Sequence, residues 1–191
     1  GDDRLVDGVL ESPEAASAVT GLGLQWAGKR AAAALHRLHP ELRIYQTEQE
    51  CGDGRNDWRH ARYAWSLMKH FLGNGANAYT YWNISLLEGG RSRWGWTQNS
   101  LVVVDAATGT HRFTHGCFVL KHVSAHVQVG ARVLDTWSVA GYDNQLVFQN
   151  PDGSIVVVIQ NDLGEELAVN ILVGDRLISP TLPADSFSTF V

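Results

Sequence analysis

The feature that most constrains the fold is a change in hydrophobic pattern near residue 130. Before that point, short apolar strands alternate with helical segments: strands are predicted at 21–26, 42–47 and 77–82, and helices at 29–39, 57–72 and 115–127. Strand–helix–strand order at this spacing predicts parallel strands joined by helical crossovers. Three such units fit a barrel and a doubly wound sheet equally well, so the pattern alone leaves both folds open.

Beyond residue 130 the chain is predicted to form short strands separated by turns, at 132–136, 145–149, 155–160, 167–172 and 187–191. The segment Asn150-Pro151-Asp152-Gly153 is a strong turn between two of these strands. This pattern is typical of an antiparallel β-sandwich. We therefore predict two domains, an α/β domain over residues 1–129 and a β-sandwich over residues 130–191.

Composition narrows the class of function. The net charge of -5 argues against a nucleic-acid partner, because a phosphate backbone requires a concentrated basic surface. No apolar run approaches the roughly 20 residues that span a bilayer, so we predict no transmembrane segment. The two cysteines, Cys51 and Cys117, are too few for a disulfide scaffold. We favour two free thiols, although the sequence alone permits one bridge between them.

A glutamate at the end of the second predicted strand is the candidate catalytic residue. Glu48 follows strand 42–47 directly, and the carboxyl ends of strands carry the chemistry in parallel (β/α) folds. Alternation places Ile44 and Gln46 on the same side as Glu48. Glycoside hydrolysis requires two such carboxylates. Glu50 has the same strand parity and is the rival nucleophile, and a solvated loop position for both acids is the alternative.

Tryptophans are the second candidate feature, because five of the seven fall between residues 58 and 96. Trp94 and Trp96 lie in a glycine-rich segment, where indole rings suit the apolar face of a sugar better than a core. Further candidate substrate-binding residues stand at the ends of the first and third strands: Gln25, Trp26, Trp82 and Asn83. The alternative function is a non-catalytic carbohydrate-binding protein that uses this loop and the β-sandwich.

One histidine pair was considered as a metal site. His122 and His126 are four residues apart on a predicted helix, a spacing seen in metal sites. No third ligand stands near them in the sequence. We therefore predict no metal site and no cofactor.

The chain resembles glycoside hydrolase family 30, the family of acid β-glucosidase (glucosylceramidase) and bacterial β-1,6-glucanases. The resemblance runs through nearly the whole chain. It rests on Tyr45-Gln46-Thr47-Glu48-Gln49-Glu50-Cys51-Gly52, on Tyr81-Trp82-Asn83, on Glu88-Gly89-Gly90 to Trp96 with Asn99 and Asp105, and on the closing segments 150–154, 179–180 and 190–191.

The resemblance implies a fold and a mechanism. It implies the C-terminal part of a (β/α)8 barrel, about strands six to eight, followed by a β-sandwich, and hydrolysis of β-glucosidic bonds with retention of configuration. The family's nucleophile is a glutamate after serine or threonine, which assigns the role to Glu48 rather than Glu50. Gln25-Trp26 and Trp82-Asn83 match sugar-pocket positions, although the family often has histidine in place of Gln25.

One departure from the family matters most. The general acid/base of the family is a glutamate, usually after asparagine, and the chain contains no Asn-Glu pair. The resemblance therefore implies that the acid/base and about five strands lie outside this chain. We expect a fragment that is inactive alone and requires the N-terminal half of the barrel. The expected substrate is a β-glucan or β-glucoside, glucosylceramide included, and the expected location of the full-length protein is secreted or periplasmic.

Overall fold

The computed structural model describes residues 4–139 and 141–191. The chain divides into two compact units, Gly1–Val119 and Leu120–Val191. The domain boundary predicted at residues 129 and 130 stays a prediction, because compactness alone does not define the limits of a domain. Within the described residues, none of the helices combines the length and the apolar character that crossing a bilayer requires.

The first unit contains a three-stranded parallel sheet with β2 in the centre. Its strands are β1 (Gly21–Gln25), β2 (Arg43–Glu48) and β3 (Ala76–Tyr79). Two short helices, α1 (Arg4–Leu10) and α2 (Pro13–Ala18), precede the sheet. A 3₁₀ helix (Trp26–Ala31) that continues into α3 (Ala32–Leu38) joins β1 to β2, and α4 (Trp58–Gly73) joins β2 to β3.

These crossover helices bury one side of the sheet. Leu24 and Ile44 from the strands pack in one apolar cluster with Leu35 of α3 and Phe71 of α4. Side chains of roughly this size each contribute about 1.5–3 kcal/mol when fully buried. The cluster therefore fixes both helices on the sheet and holds the carboxyl ends of β1 and β2 side by side.

Helix α4 has clear start and stop signals. The Asp57 carboxylate accepts a hydrogen bond of 2.9 Å from the His60 backbone N–H, which caps the first turn. After the helix ends, Gly75 adopts φ +83°, and a Cβ added there would lie 2.2 Å from Nδ1 of His36. Only glycine combines this dihedral angle with so close an approach.

Strand β3 is shorter than the predicted strand 77–82. The Thr80 backbone N–H lies 3.2 Å from the Gln46 carbonyl and 2.6 Å from Oε1 of the Gln46 side chain. A side chain of β2 thus shares the donor that the ladder would use next, and the strand ends at Tyr79.

The first unit also holds a second sheet of three short strands. They are β4 (Ser85–Leu87), β5 (Val102–Val104) and β6 (His111–Phe113), with β4 parallel and β6 antiparallel to β5. The tryptophan-rich loop connects β4 to β5. Helix α5 (His115–Ser124) follows and ends three residues before the predicted limit at 127.

The second unit is built on a four-stranded antiparallel sheet in the order β14-β9-β8-β7. Its strands are β7 (Arg132–Leu134), β8 (Gln145–Gln149), β9 (Ile155–Asn161) and β14 (Ser186–Phe190). Two small antiparallel pairs accompany it, β10 (Leu167–Ala168) with β13 (Thr181–Leu182) and β11 (Ile171–Val173) with β12 (Arg176–Ile178). The strand predicted at 167–172 is therefore two strands, and β12 and β13 were not predicted.

Candidate functional site

Glu48 is the last residue of β2 and is half-buried. The pairing of β1 with β2 shifts at this point, so that Leu24 pairs with Gln46 but Gln25 pairs with Glu48. The skipped residue is Thr47, whose hydroxyl lies 3.3 Å from the Leu24 carbonyl. Such a shift at a strand end redirects the next side chain. It sets Glu48 opposite the exposed Gln25.

The indole N–H of Trp26 donates a hydrogen bond of 2.6 Å to Oε1 of Glu48. Trp26 is the first residue of the 3₁₀ helix, adopts φ +42° and leaves 40% of its side chain exposed. A bulky residue rarely adopts a positive φ, and such backbone persists only where its surroundings enforce it. The prediction of Trp26 as a sugar-binding residue stays a prediction, because its N–H already serves the carboxylate.

The second acid of the strand end has a different partner. The Glu50 carboxylate forms a close ion pair with the Lys29 ammonium group, which also lies 3.5 Å from the Tyr63 hydroxyl. Partial burial raises the pKa of Glu50, but the hydrogen bond and the charge of Lys29 outweigh it and hold this pKa below its usual range. For the same reason the Lys29 pKa is raised despite its partial burial.

Gln49, between the two acids, is anchored to the opposite side. Its side chain is 1% exposed, and its carbonyl oxygen accepts a close hydrogen bond from the Tyr79 hydroxyl of β3. Burial raises the Tyr79 pKa strongly, so this hydroxyl keeps its proton and remains a donor. The segment 48–50 is thus held from the side of β1 and from β3 at once.

Trp82 and Asn83 follow β3. Trp82 is half-buried, and Asn83 adopts φ +65°. The Asn83 amide group donates to Oε1 of Gln98 at 3.2 Å and to the Asn99 carbonyl at 3.3 Å. These contacts tie the end of β3 to the segment that closes the tryptophan-rich loop. The predicted sugar-binding roles of Trp82 and Asn83 stay predictions.

Trp94 and Trp96 lie on the surface, 71% and 57% exposed. Their ring centres are 6.1 Å apart with 35° between the planes, and the Arg93 guanidinium lies 5.5 Å from the centre of the Trp94 ring. The Ser92 hydroxyl accepts from both backbone N–H groups at 3.2 Å. The loop therefore presents two indoles in a fixed local conformation, as a stacking surface requires.

A cavity of about 340 Å³ lies beside the loop that follows Glu50. It is lined by Gly52, Asp53, Arg59, His60 and Tyr63. Burial lowers the pKa of His60, although the carboxylates of Asp53 and Asp57 oppose this effect. A neutral imidazole therefore faces the exposed Asp53 and Arg59 across this cavity.

The contacts bring only some of the predicted site residues together. Trp26 and Gln25 meet Glu48 at the ends of β1 and β2, Asn83 contacts residues 98 and 99, and Trp94 contacts Trp96. Sequence reasoning missed Lys29 and Tyr63. The available signal was spacing, since Lys29 stands three residues after Trp26 and Glu50 stands two residues after Glu48.

The remaining sequence candidates have structural partners. His122 Nδ1 lies 2.8 Å from the Thr189 hydroxyl, and its ring packs beside Phe187. Across residues 4–139 and 141–191, no three His, Cys, Asp or Glu side chains are grouped to hold a metal ion. Both cysteines are free, with Cys51 buried and Cys117 half-buried.

Residues 145–190 match the model of the glycosyl hydrolase family 30 beta sandwich domain. Lysosomal acid glucosylceramidase of Mus musculus is 27% identical over 208 residues, which cover 98% of this chain and 40% of that protein. The structure of SrfJ from Salmonella typhimurium superposes with a TM-score of 0.84 at 26% identity, over 96% of this chain and 43% of that chain.

The endo-beta1,6-glucanase BT3312 superposes with a TM-score of 0.83 at 20% identity, again over 96% of this chain and 43% of that chain. At this identity the likeness concerns the fold alone. The chain thus spans about two fifths of the length of the relatives that it matches.

Proposed function

Because this chain belongs to glycoside hydrolase family 30 and represents a C-terminal portion of it, we propose that Glu48 is the nucleophile of a retaining β-glycosidase. The observation that carries the proposal is the position of Glu48 at the carboxyl end of the central parallel strand, with its carboxylate bound by the Trp26 N–H. In (β/α) folds this end of the strands carries the catalytic groups.

The proposed chemistry is a double displacement. The ionised Glu48 carboxylate attacks the anomeric carbon of a β-glucoside and forms a glycosyl-enzyme intermediate, which water then hydrolyses. The Trp26 N–H favours the ionised form and fixes which oxygen points to the sugar, because a hydrogen bond to a carboxylate stabilises its charge. The acid/base would be a carboxyl group outside this chain, about 5–5.5 Å from Glu48.

The architecture proposed for the full-length protein is a (β/α)8 barrel in which β1, β2 and β3 are strands six, seven and eight. Their parallel pairing and helical crossovers are compatible with this assignment. An isolated three-stranded sheet leaves two open edges, which natural proteins normally cover. We therefore propose that this chain requires the N-terminal half of the barrel and shows no turnover alone.

Glu48 is preferred to Glu50 for a physical reason. The Glu50 carboxylate is paired with the Lys29 ammonium group, so an attack on a sugar carbon would have to break an ion pair. The Glu48 carboxylate has a neutral donor instead. A nucleophile with one neutral donor keeps more of its reactivity than one bound to a full positive charge.

The proposed substrate is a β-D-glucoside, with glucosylceramide and β-1,6-linked glucan as the two leading candidates. Support comes from the relatives described as a glucosylceramidase and an endo-beta1,6-glucanase. Trp82, Trp94 and Trp96 would contact sugar faces, and Gln25 and Asn83 would bind hydroxyl groups. Because such lipids and polymers lie outside the bacterial cytosol, we propose a secreted or periplasmic location.

Chemical rescue of the full-length gene product tests the proposal. Glu48→Ala should abolish turnover, and azide should restore it by forming the α-glucosyl azide, because azide attacks the face that Glu48 has vacated. Glu50→Ala is the matched control and should yield no α-azide. Absence of rescue in Glu48→Ala would reject Glu48 as the nucleophile. Reversible sugar binding without turnover in the wild-type protein would favour the non-catalytic alternative.

A further inference from the structure

Two acidic residues at the end of β2 are each bound by a residue of the same 3₁₀ helix. Glu48 accepts from the Trp26 indole, and Glu50 pairs with the Lys29 ammonium group. The acids are two residues apart in extended chain, and their partners are three residues apart in the helix Trp26–Ala31.

The spacing of the two pairs follows from backbone geometry. Two residues of extended strand advance by roughly 6.6 Å. Three residues of a 3₁₀ helix advance by about 6 Å and return to the same side of the axis, whereas three residues of an α-helix advance by only about 4.5 Å. A 3₁₀ helix can therefore present two side chains to two alternate strand residues. Trp26 and Lys29 do so here, even with the positive φ of Trp26.

We propose that Lys29 is a positioning residue for Glu48: its ion pair with Glu50 aligns the segment 48–50 with the 3₁₀ helix, so that the Trp26 N–H meets the Glu48 carboxylate. The inference rests on the proposed function, since it assigns Lys29 a part in the same site. Lys29 contacts neither the Glu48 carboxylate nor a substrate in this arrangement. It acts through Glu50 and through the shared helix.

The surroundings of Glu50 leave Lys29 as its cationic partner. Tyr63 and His60 of α4 and Tyr79 of β3 also interact electrostatically with Glu50, but burial keeps both tyrosines protonated and His60 neutral. Lys29 is itself held from behind, because its backbone carbonyl lies 2.7 Å from Nε2 of His70. The ammonium group is thus fixed at both ends of its residue.

The expected effect falls on catalysis more than on stability. The ion pair is partly exposed, and such pairs contribute little to the free energy of unfolding. A small displacement of a reacting group, in contrast, lowers the rate by as much as about 100-fold. A positioning role therefore predicts a lower kcat without a matching loss of stability or substrate binding.

The test uses Lys29→Met in the full-length gene product. We expect kcat to fall roughly tenfold or more while KM changes less than about threefold, because the displaced group reacts but does not bind. Lys29→Arg should restore most of kcat, since it keeps the positive charge. Lys121→Met, which removes an exposed lysine of α5, is the matched control and should leave kcat unchanged.

A spectroscopic signal separates this inference from the proposed function. The indole N–H resonance of Trp26, assigned by its loss in Trp26→Phe, should move in Lys29→Met and return in Lys29→Arg, whether or not the protein hydrolyses glucosides. An unmoved resonance with wild-type kcat in Lys29→Met would overturn the inference. A moved resonance in a protein without glycosidase activity would reject the proposed function and leave the Lys29 contact network intact.

Discussion

The indole N–H of Trp26 and the carboxylate of Glu48 are joined by a hydrogen bond of 2.6 Å between two neighbouring strand ends. The residues are 22 positions apart in sequence, and the shift in pairing at Thr47 together with the positive φ of Trp26 brings them together. An irregular backbone on both strands thus serves one contact. Strained backbone that the surroundings enforce is typical of functional sites.

Removal of the indole N–H should slow catalysis in the full-length protein. Trp26→Phe keeps an aromatic ring but removes the donor to Glu48. A hydrogen bond to a charged group contributes about 1.5–3 kcal/mol, so we expect kcat/KM to fall roughly 10- to 100-fold. Steady-state kinetics on an aryl β-glucoside measure this effect. An unchanged kcat/KM in Trp26→Phe would show that the hydrogen bond is not used.

The exposed indoles should matter for binding and not for stability. Trp94→Ala is expected to raise KM, because it removes a stacking face, and to change the free energy of unfolding by less than about 0.5 kcal/mol. Trp65→Ala is the matched contrast, since Trp65 is 1% exposed. It should destabilise the protein by about 3–5 kcal/mol. Urea denaturation and KM measurements on both variants distinguish the two roles.

The Lys29–Glu50 pair predicts a defined pH dependence of stability. The folded-state pKa of Glu50 is lowered from 4.5, so its ionised form stabilises the folded state. This contribution is fully present above the unfolded pKa near 4.5 and is lost as pH falls through the lower folded pKa. Glu50→Gln should therefore be less stable than wild type at pH 7, by less than about 1 kcal/mol because the pair is partly exposed.

Chemical denaturation of wild type and Glu50→Gln at several pH values measures this difference. The two curves should converge in acid. A difference that grows as pH falls below 4.5 would have the wrong sign and would contradict the ion-pair account.

Two glycines with positive φ should differ in their tolerance of alanine. Gly75 (φ +83°) would bring a Cβ to 2.2 Å from His36, whereas a Cβ at Gly174 (φ +62°) meets nothing within 4 Å. Both substitutions carry the dihedral penalty of about 1 kcal/mol. Only Gly75→Ala adds a clash, so its loss of stability by urea denaturation should clearly exceed that of Gly174→Ala. Equal losses would show that His36 moves aside freely.

The sequence predicted those parts of the fold that depend on regular patterns. Alternation along β2 correctly indicated that Ile44 and Gln46 share the buried side, and Asp57 correctly marked the start of α4. The strand at 167–172 was wrong, because β10 and β11 are separated by residues 169–170 and pair with different partners. Strands of two or three residues are too short to show a period.

The candidate site was predictable only as far as strand ends show it. A glutamate after a β-rich segment is visible in the sequence, and so is its spacing from Glu50. The contacts of Trp26 and Lys29 were not, because no residue type signals a tryptophan at positive φ or a 3₁₀ start to a helix that reads as continuous. Tertiary packing decides these features, and it joins residues more than 20 positions apart.

Covalent trapping tests the central claim most directly. The full-length gene product would be incubated with an activated 2-deoxy-2-fluoro-β-glucoside, which slows hydrolysis of the glycosyl-enzyme, and then digested for mass spectrometry. We predict one fluoroglucosyl adduct per protein, on the carboxylate of Glu48, and none in Glu48→Gln. An adduct on Glu50, or reversible binding of the glucoside with no adduct, would contradict the account.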